Sequence, residues 1–257
     1  KFMEPDIMVD NFAAITTRVA PSFLRVGQLE LFARRVRNNS HNDALKELQM
    51  IVQHLIERNY KEDIDPNLSF KNKIVKLADL YRTRLISLVA HWMRVGYCQG
   101  NFNSDNCAIG GFTLDYGPFG FCELFDPKFQ PWSGGGKHFS FFNQPFAAEI
   151  NFKMFCSSLR PLLLKNKEGI KKLEQIQNDF SKFMSKEMQL MWAKKLGLEK
   201  YDETLTNQLF NLMVKSKADF SIFFRKLSHI PDNIAFLKES FYLTLTEELE
   251  NKWCIWI

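Results

Sequence analysis

The distribution of glycine constrains the fold of this chain more than any other feature of its sequence. Nine of the twelve glycines lie between Gly96 and Pro145. Glycine tolerates backbone angles that other residues avoid, so we expect loops and tight turns in this segment. The segments on both sides carry apolar residues at helical spacing. The pattern predicts a mainly α (α+β) chain with one loop-rich segment between helical regions.

The helical regions can be bounded from the spacing of their apolar residues and from their terminators. Gly96 follows a periodic segment at the place where a helix typically ends. Residues 16–27 are expected to be extended or irregular, and residues 59–73 are polar, contain Asp65-Pro66 and are expected to form a loop and an insertion. The predicted helices cover residues 28–37, 41–58, 77–95, 165–196, 202–215, 218–229 and 232–253.

Charge and cysteine content exclude several classes of protein. The net charge of +5 arises from 34 basic and 29 acidic residues, which suits an anionic ligand, but the absence of a basic stripe argues against nucleic acid. Five cysteines without a CxxC spacing argue against a disulfide scaffold and a zinc site. We expect Cys98, Cys107 and Cys122 to be buried as small apolar residues. No apolar run is long enough to predict membrane insertion.

A pair of glycines predicts a hairpin within the loop-rich segment. Gly110 and Gly111 lie between two short apolar runs, as in a two-residue type I′ turn. That turn would pair Cys107 with Leu114 and would place Asn106 opposite Asp115. Directly opposed side chains have Cβ atoms roughly 4.5–5.5 Å apart.

Such a pairing would bring one amide oxygen and one carboxylate to a single point. Mg²⁺ prefers oxygen ligands, commonly one or two from protein with phosphates and water completing the shell. Kinase-like enzymes hold Mg²⁺–ATP with an Asn and an Asp in this way. We therefore predict a metal site at Asn106 and Asp115, although both residue types also flank tight turns without binding anything.

Three further side chains are candidates for chemistry on a nucleotide. Asp105 precedes the predicted ligand Asn106 and could act as a base or as a second metal ligand. Arg18 and Arg25 carry planar guanidinium groups that suit polyphosphate. An alternative for both arginines is a surface position or an ion pair with a carboxylate.

At these residues the chain resembles the selenoprotein O family, also called YdiU or UPF0061. Residues 17–27 (TRVAPSFLRVG) are similar to the arginine motif of that family, and residues 103–106 (NSDN) with 113–121 (TLDYGPFGF) are similar to its catalytic signature. Further similarity follows in the same order along nearly the whole chain, at residues 126–127 (DP), 144–145 (QP), 195–198 (KLGL) and 218–225 (ADFSIFFR).

The resemblance implies a fold, an activity and roles for these residues. Family members are pseudokinases that transfer AMP from ATP to Ser, Thr or Tyr hydroxyls of protein substrates. By motif, Asp105 would accept the proton, Asn106 and Asp115 would bind Mg²⁺ (or Mn²⁺), and Arg18 and Arg25 would contact the phosphates of the nucleotide. Residues 1–257 would form the helical C-terminal lobe of a protein-kinase-like fold, with a helical region over 146–257, and the protein would be mitochondrial in a eukaryote and otherwise cytoplasmic.

The chain also departs from the family pattern. It is expected to lack the N-terminal lobe, which carries the ATP-binding lysine, and the C-terminal redox motif, so that the isolated chain would lack half of the nucleotide cleft. Residues 99–101 (QGN) replace the His-Gly-Val of the family, and Lys137 replaces an arginine.

The alternative function is a catalytically inactive, truncated pseudokinase that acts as a helical interaction module. An ordinary protein kinase is disfavoured because no His-Arg-Asp precedes Asn106. The sequence leaves the protein substrate and the oligomeric state open.

Overall fold

The structure is a computed structural model and describes residues 14–15, 17–114 and 116–257. The described part is mainly helical, as the sequence predicts. Short 3₁₀ turns connect several of the elements. The helices and strands are α1 (Val26–Arg37), α2 (Ala44–Asn59), α3 (Phe70–Val95), β1 (Tyr97–Cys98), β2 (Gly120–Phe121), α4 (Gln144–Leu159), α5 (Lys167–Asn178), α6 (Phe180–Lys195), α7 (Glu203–Ser216), α8 (Phe220–Leu227) and α9 (Glu247–Trp256).

Helix α3 is the central element, and it packs against α4, α5 and α6. Its buried face carries Tyr81, whose ring centroid lies 4.5 Å from that of Phe155 on α4. Its first turn is capped by Ser69, whose hydroxyl accepts from a backbone N–H. It ends at Gly96, whose left-handed φ of 76° is the conformation that glycine adopts most readily. The prediction of a helix that stops at Gly96 is confirmed.

The loop predicted over 59–73 covers residues 60–69 alone, because α3 begins at Phe70 and not at residue 77. Two other predicted helices are wrong in extent. The helix predicted over 165–196 is divided at Asp179, and this break lets Phe180 pack on Phe152 with ring centroids 4.8 Å apart. The helix predicted over 232–253 is a 3₁₀ turn (Ile234–Ser240) followed by the separate helix α9. Between these two elements Phe241 pairs with Ala218 as an antiparallel bridge, so the chain is extended there instead of helical.

The predicted hairpin is wrong in register. Cys107 pairs with Thr113 and not with Leu114. Of the two glycines, Gly111 alone has a positive φ, at 76°, so the turn is not type I′. The strands of the small sheet are instead β1 and β2, which pair antiparallel and enclose the segment between them.

The register differs because the first arm of the predicted hairpin has another partner. The backbone N–H of Val26 donates to the Cys107 carbonyl at 3.0 Å, and that of Ile109 donates to the Leu24 carbonyl at 3.0 Å. Residues 107–109 therefore pair with residues 24–26, at the start of α1. Within residues 17–114 and 116–257, no helix combines the length and the apolar character that crossing a membrane requires.

Candidate functional site

The arginine motif and residues 105–109 form one unit in the structure. Arg25 precedes the first turn of α1, and its backbone N–H donates to the Gln28 side chain at 3.0 Å. Its side-chain Nη1 donates to the backbone carbonyl of Asp105 at 3.3 Å, across a separation of 80 residues. The two segments that the sequence singles out separately therefore meet at the amino end of α1.

The guanidinium of Arg25 retains an unused donor. Its Nε is buried and has no hydrogen-bond partner among the described residues. A buried donor without a partner is costly, and the cost is larger when the group is charged. An anion bound at this point would remove that cost, and phosphate oxygens match the geometry of a guanidinium. The site therefore fits a phosphate-bearing ligand.

The carboxylate of Asp105 lies against Gly27 in the first turn of α1. A Cβ placed at Gly27 would be 2.0 Å from Asp105 Oδ1, so the glycine provides the space that this carboxylate occupies. The backbone N–H of Asp105 donates to the side chain of Asn103 at 2.9 Å, which fixes the local turn. Asp105 is exposed to solvent. An exposed, positioned carboxylate can accept a proton from a substrate.

Asn106 ends the 3₁₀ turn formed by Ser104–Asn106 and is half-buried. Its Nδ2 donates to the Asn101 carbonyl at 2.8 Å. The amide oxygen is then the atom of this side chain that could coordinate a cation. In the described part of the chain, no three His, Cys, Asp or Glu side chains lie close enough to share a metal. Asn106 would then be one protein ligand of a cation here, with phosphate oxygens and water completing the shell, which is typical of Mg²⁺.

The predicted partner of Asn106, Asp115, lies outside the described residues. The register found for the bridge between Cys107 and Thr113 removes the hairpin argument for placing the two side chains opposite each other. The Asn106–Asp115 metal site therefore stays a prediction, now supported by the motif alone.

Arg18 contacts residues on both sides of position 115. Its Nη2 donates to the Thr113 carbonyl at 2.7 Å. Its guanidinium carbon lies 4.2 Å from the centroid of the Tyr116 ring, a cation–π contact. No described contact joins Arg18 to Arg25. The structure thus brings Arg25 to Asp105, and it brings Arg18 to the residues that follow the turn at Gly110-Gly111.

Side chains of α3 and of the residue that follows α2 form hydrogen bonds with the turn at Gly110-Gly111 and its flanking residues. Tyr60 donates its hydroxyl to the Ile109 carbonyl at 2.5 Å, and burial raises the pKa of this phenol, which keeps it a donor. Arg84 donates to the Gly110 carbonyl at 3.4 Å, and Trp92 donates to the Thr113 hydroxyl at 2.8 Å. Sequence reasoning missed these contacts, because helical spacing predicts a buried face but not its hydrogen bonds.

Helix α4 supports the segment that precedes the site. Asn151 donates to the Phe102 carbonyl at 2.9 Å, and both groups are buried. Gln144 accepts from the backbone N–H of Gln99 at 2.9 Å and donates to the Tyr97 carbonyl at 2.9 Å. Gln99, which departs from the family pattern, is thus a buried part of this network. In the sequence, Asn151 could have been identified as a polar residue within a largely apolar helix.

The thiols near the site are buried, as predicted. Burial raises the pKa of Cys98 and of Cys122 to about 11 and that of Cys107 to about 12. The thiolate, which is the reactive form, is therefore disfavoured at neutral pH. The prediction that these cysteines are small apolar core residues is confirmed.

Comparison with known proteins gives a consistent family. The family model for the protein adenylyltransferase SelO matches residues 4–256. A protein nucleotidyltransferase YdiU of Rhodopirellula baltica is 33% identical over 233 residues, which cover 86% of this chain and 40% of that protein. Those of Flavobacterium johnsoniae and Bacillus cereus are each 34% identical over 224 residues, covering 84% of this chain and 40% and 43% of the respective relatives.

This chain spans about two fifths of the length of the curated relatives it matches. The match nevertheless covers almost every residue of the chain, including the arginine motif and the segment that contacts it. The chain therefore belongs to the SelO protein adenylyltransferase family.

Proposed function

We propose that the full-length protein transfers AMP from ATP to Ser, Thr or Tyr hydroxyls of protein substrates. In this proposal Arg18 and Arg25 bind the phosphates, Asp105 accepts the proton, and Asn106 and Asp115 bind Mg²⁺. The single observation that carries the proposal is the contact of Arg25 with Asp105, beside which the buried Nε of Arg25 has no partner. A cation with an unused donor next to an exposed carboxylate suits a reaction that needs both phosphate binding and a base.

The chemistry assigned to each group follows from its position. Asp105 takes the proton of the substrate hydroxyl as the hydroxyl oxygen attacks the α-phosphorus and pyrophosphate leaves. Arg25 binds phosphate oxygens at the amino end of α1, where the helix dipole also favours negative charge. Mg²⁺, when bound, neutralises charge on the phosphates.

We further propose that the chain forms the helical lobe of a protein-kinase-like fold. The site segment follows α3 and precedes α4, and both helices hold it by hydrogen bonds to its backbone, from Arg84 to Gly110 and from Asn151 to Phe102. The remaining length of the relatives would supply the rest of the nucleotide cleft. The insertion at 59–73 stays a prediction, although a loop does occupy residues 60–69.

The experiment is a label-transfer assay with the full-length protein and ATP labelled at the α- or the γ-phosphate. We expect protein labelling from the α-phosphate alone, and loss of labelling when divalent cations are chelated. Replacing Asp105 by Asn should lower the rate about 10²–10⁴-fold, the usual contribution of a general base. Asp43→Asn is the matched control, because Asp43 is exposed and its side chain makes no capping bond.

Two outcomes would contradict the proposal in different ways. Labelling from the γ-phosphate would indicate an ordinary kinase. Absence of labelling and of ATP binding in the full-length protein would indicate the inactive interaction module.

A further inference from the structure

A pocket lies at the carboxyl ends of α3 and α6, and its residues take no part in the site described above. Its volume is about 300 Å³. Apolar side chains of both helices form part of its lining. The charged and titratable residues that line it are His91, Arg94, Glu187, Lys194 and Lys195.

Lys195 is the partly buried cation of this pocket, and it belongs to the 195–198 (KLGL) motif that the proposed function does not use. Its Nζ lies 3.9 Å from the ring centroid of Phe224 and 4.9 Å from that of Phe220. Within the described residues, no carboxylate lies within 4 Å of this ammonium. Burial, and secondarily the charge of Arg94, lower the pKa of Lys195 to about 8. The amine is therefore held without a counter-ion and beside another cation.

Among the described residues, the other groups that line the pocket form no ion pair with this ammonium. Arg94 donates from its Nε to His91 Nδ1 at 3.2 Å, so this histidine nitrogen acts as an acceptor. Glu187 is the single carboxylate that lines the pocket, and in the described part of the chain it forms no ion pair with Arg94, Lys194 or Lys195. Three cationic side chains thus share one pocket with one acid.

Helix dipoles account for part of this arrangement. Arg94 lies in the last turn of α3, and Lys194 lies in that of α6, where cations are favoured. Lys195 also lies in the last turn of α6, but its ammonium lies over two phenylalanine rings and has no carboxylate partner among the described residues. A bound anion would satisfy its donors and would separate its charge from that of Arg94.

We propose that this pocket binds a phosphate-type dianion, either free phosphate or the phosphate group of a small phosphorylated molecule. Lys195 would bind it from the inner wall, and Arg94 and Lys194, which are exposed, would bind it at the opening. The site is separate from Arg18 and Arg25, so the proposal does not depend on AMP transfer.

The test is an NMR titration of the lysine amines of the full-length protein with inorganic phosphate, at ionic strength held constant with sodium chloride. We expect saturable binding and a rise in the pKa of Lys195, because an adjacent anion favours the charged amine. Lys195→Met should weaken phosphate binding about tenfold or more, as expected when a charge-assisted hydrogen bond is lost. Lys186→Met is the control on the same helix, since Lys186 is exposed and does not line the pocket.

Additional variants keep the test decisive. Glu187→Gln should tighten phosphate binding, because it removes the one negative side chain that lines the pocket among the described residues. If Lys195→Met does not fold, the double variant Arg94→Gln/Lys194→Gln should show the same loss. Binding that is equal in these variants and the wild type, or that disappears in Arg25→Gln, would overturn the proposal. If ribose 5-phosphate binds more tightly than inorganic phosphate, the ligand of this pocket is a phosphorylated small molecule. The reverse order of affinities would identify free phosphate as the ligand.

Discussion

Aromatic rings pack in both the loop-rich segment over residues 96–145 and the helical region over residues 146–257, but hydrogen bonds from neighbouring elements to the backbone are more prominent in the first. In the first, side chains of neighbouring helices donate to backbone carbonyls, as Tyr60 does to Ile109 and Asn151 does to Phe102. In the second, aromatic rings pack on one another, as Phe223 does on Trp253 with centroids 5.4 Å apart.

This difference indicates a division of roles. Hydrogen bonds are directional and fix backbone positions, whereas apolar burial contributes most of the free energy of folding. Substitutions in the aromatic core should therefore reduce stability and leave the site geometry intact in the molecules that remain folded. Substitutions in the loop-rich segment should affect the site at a smaller cost in stability.

The largest stability effect is expected from Phe152→Ala. Phe152 is fully buried against Phe155 and Phe180, and its truncation should lower the free energy of unfolding by about 3–5 kcal/mol. Urea denaturation measures this value. Ile150→Ala on the same helix is the control, because Ile150 is 46% exposed, and it should change stability by less than about 1 kcal/mol. Similar losses in both variants would contradict the assignment of the core.

An intermediate effect is expected from Gly111→Ala, with Gly197→Ala as its matched partner. Both glycines have positive φ, 76° and 71°, so alanine is strained at either position by roughly 1–2 kcal/mol. A Cβ at Gly111 would also lie 2.5 Å from Arg84 Cβ, whereas nothing lies within 4 Å at Gly197. Thermal denaturation should show the larger loss for Gly111→Ala. Equal losses would mean that the turn does not dock on α3 as described.

The smallest stability effect is expected from Tyr60→Phe. The substitution keeps the ring and removes the hydroxyl that donates to the Ile109 carbonyl, which should cost about 0.5–1.5 kcal/mol, the usual net contribution of one hydrogen bond. We expect a measurable loss of AMP transfer as well, since this bond fixes the turn after Asn106. A variant with unchanged stability and activity would refute the role given to this bond.

The sequence predicts local features well and long-range pairing poorly. The helix before Gly96 follows from spacing and a terminator, both of which are local. The diglycine hairpin was wrong because residues 107–109 pair with residues 24–26, and no local pattern reports that partner. Thr246, which caps α9, was a local signal against one continuous helix over 232–253.

The same limit applies to the candidate site. Arg25 and Asp105 could be identified by motif, but their contact arises from tertiary pairing of the segments around them. The hydrogen bonds from Tyr60 and Asn151 could not be predicted, because each depends on which backbone carbonyl a helix face meets. The contacts of Arg18 with Thr113 and Tyr116 likewise depend on where the chain turns after Gly111.

We propose that Asp105 acts from the position that Gly27 leaves open at the start of α1. Gly27→Ala tests it directly, because the new Cβ must displace the Asp105 carboxylate while alanine is favourable in a helix. We predict an unchanged fold by circular dichroism, retained ATP binding, and AMP transfer lowered about tenfold or more. The loss should not add to that of Asp105→Asn in the double variant. Full transfer activity in the folded Gly27→Ala protein would contradict the account.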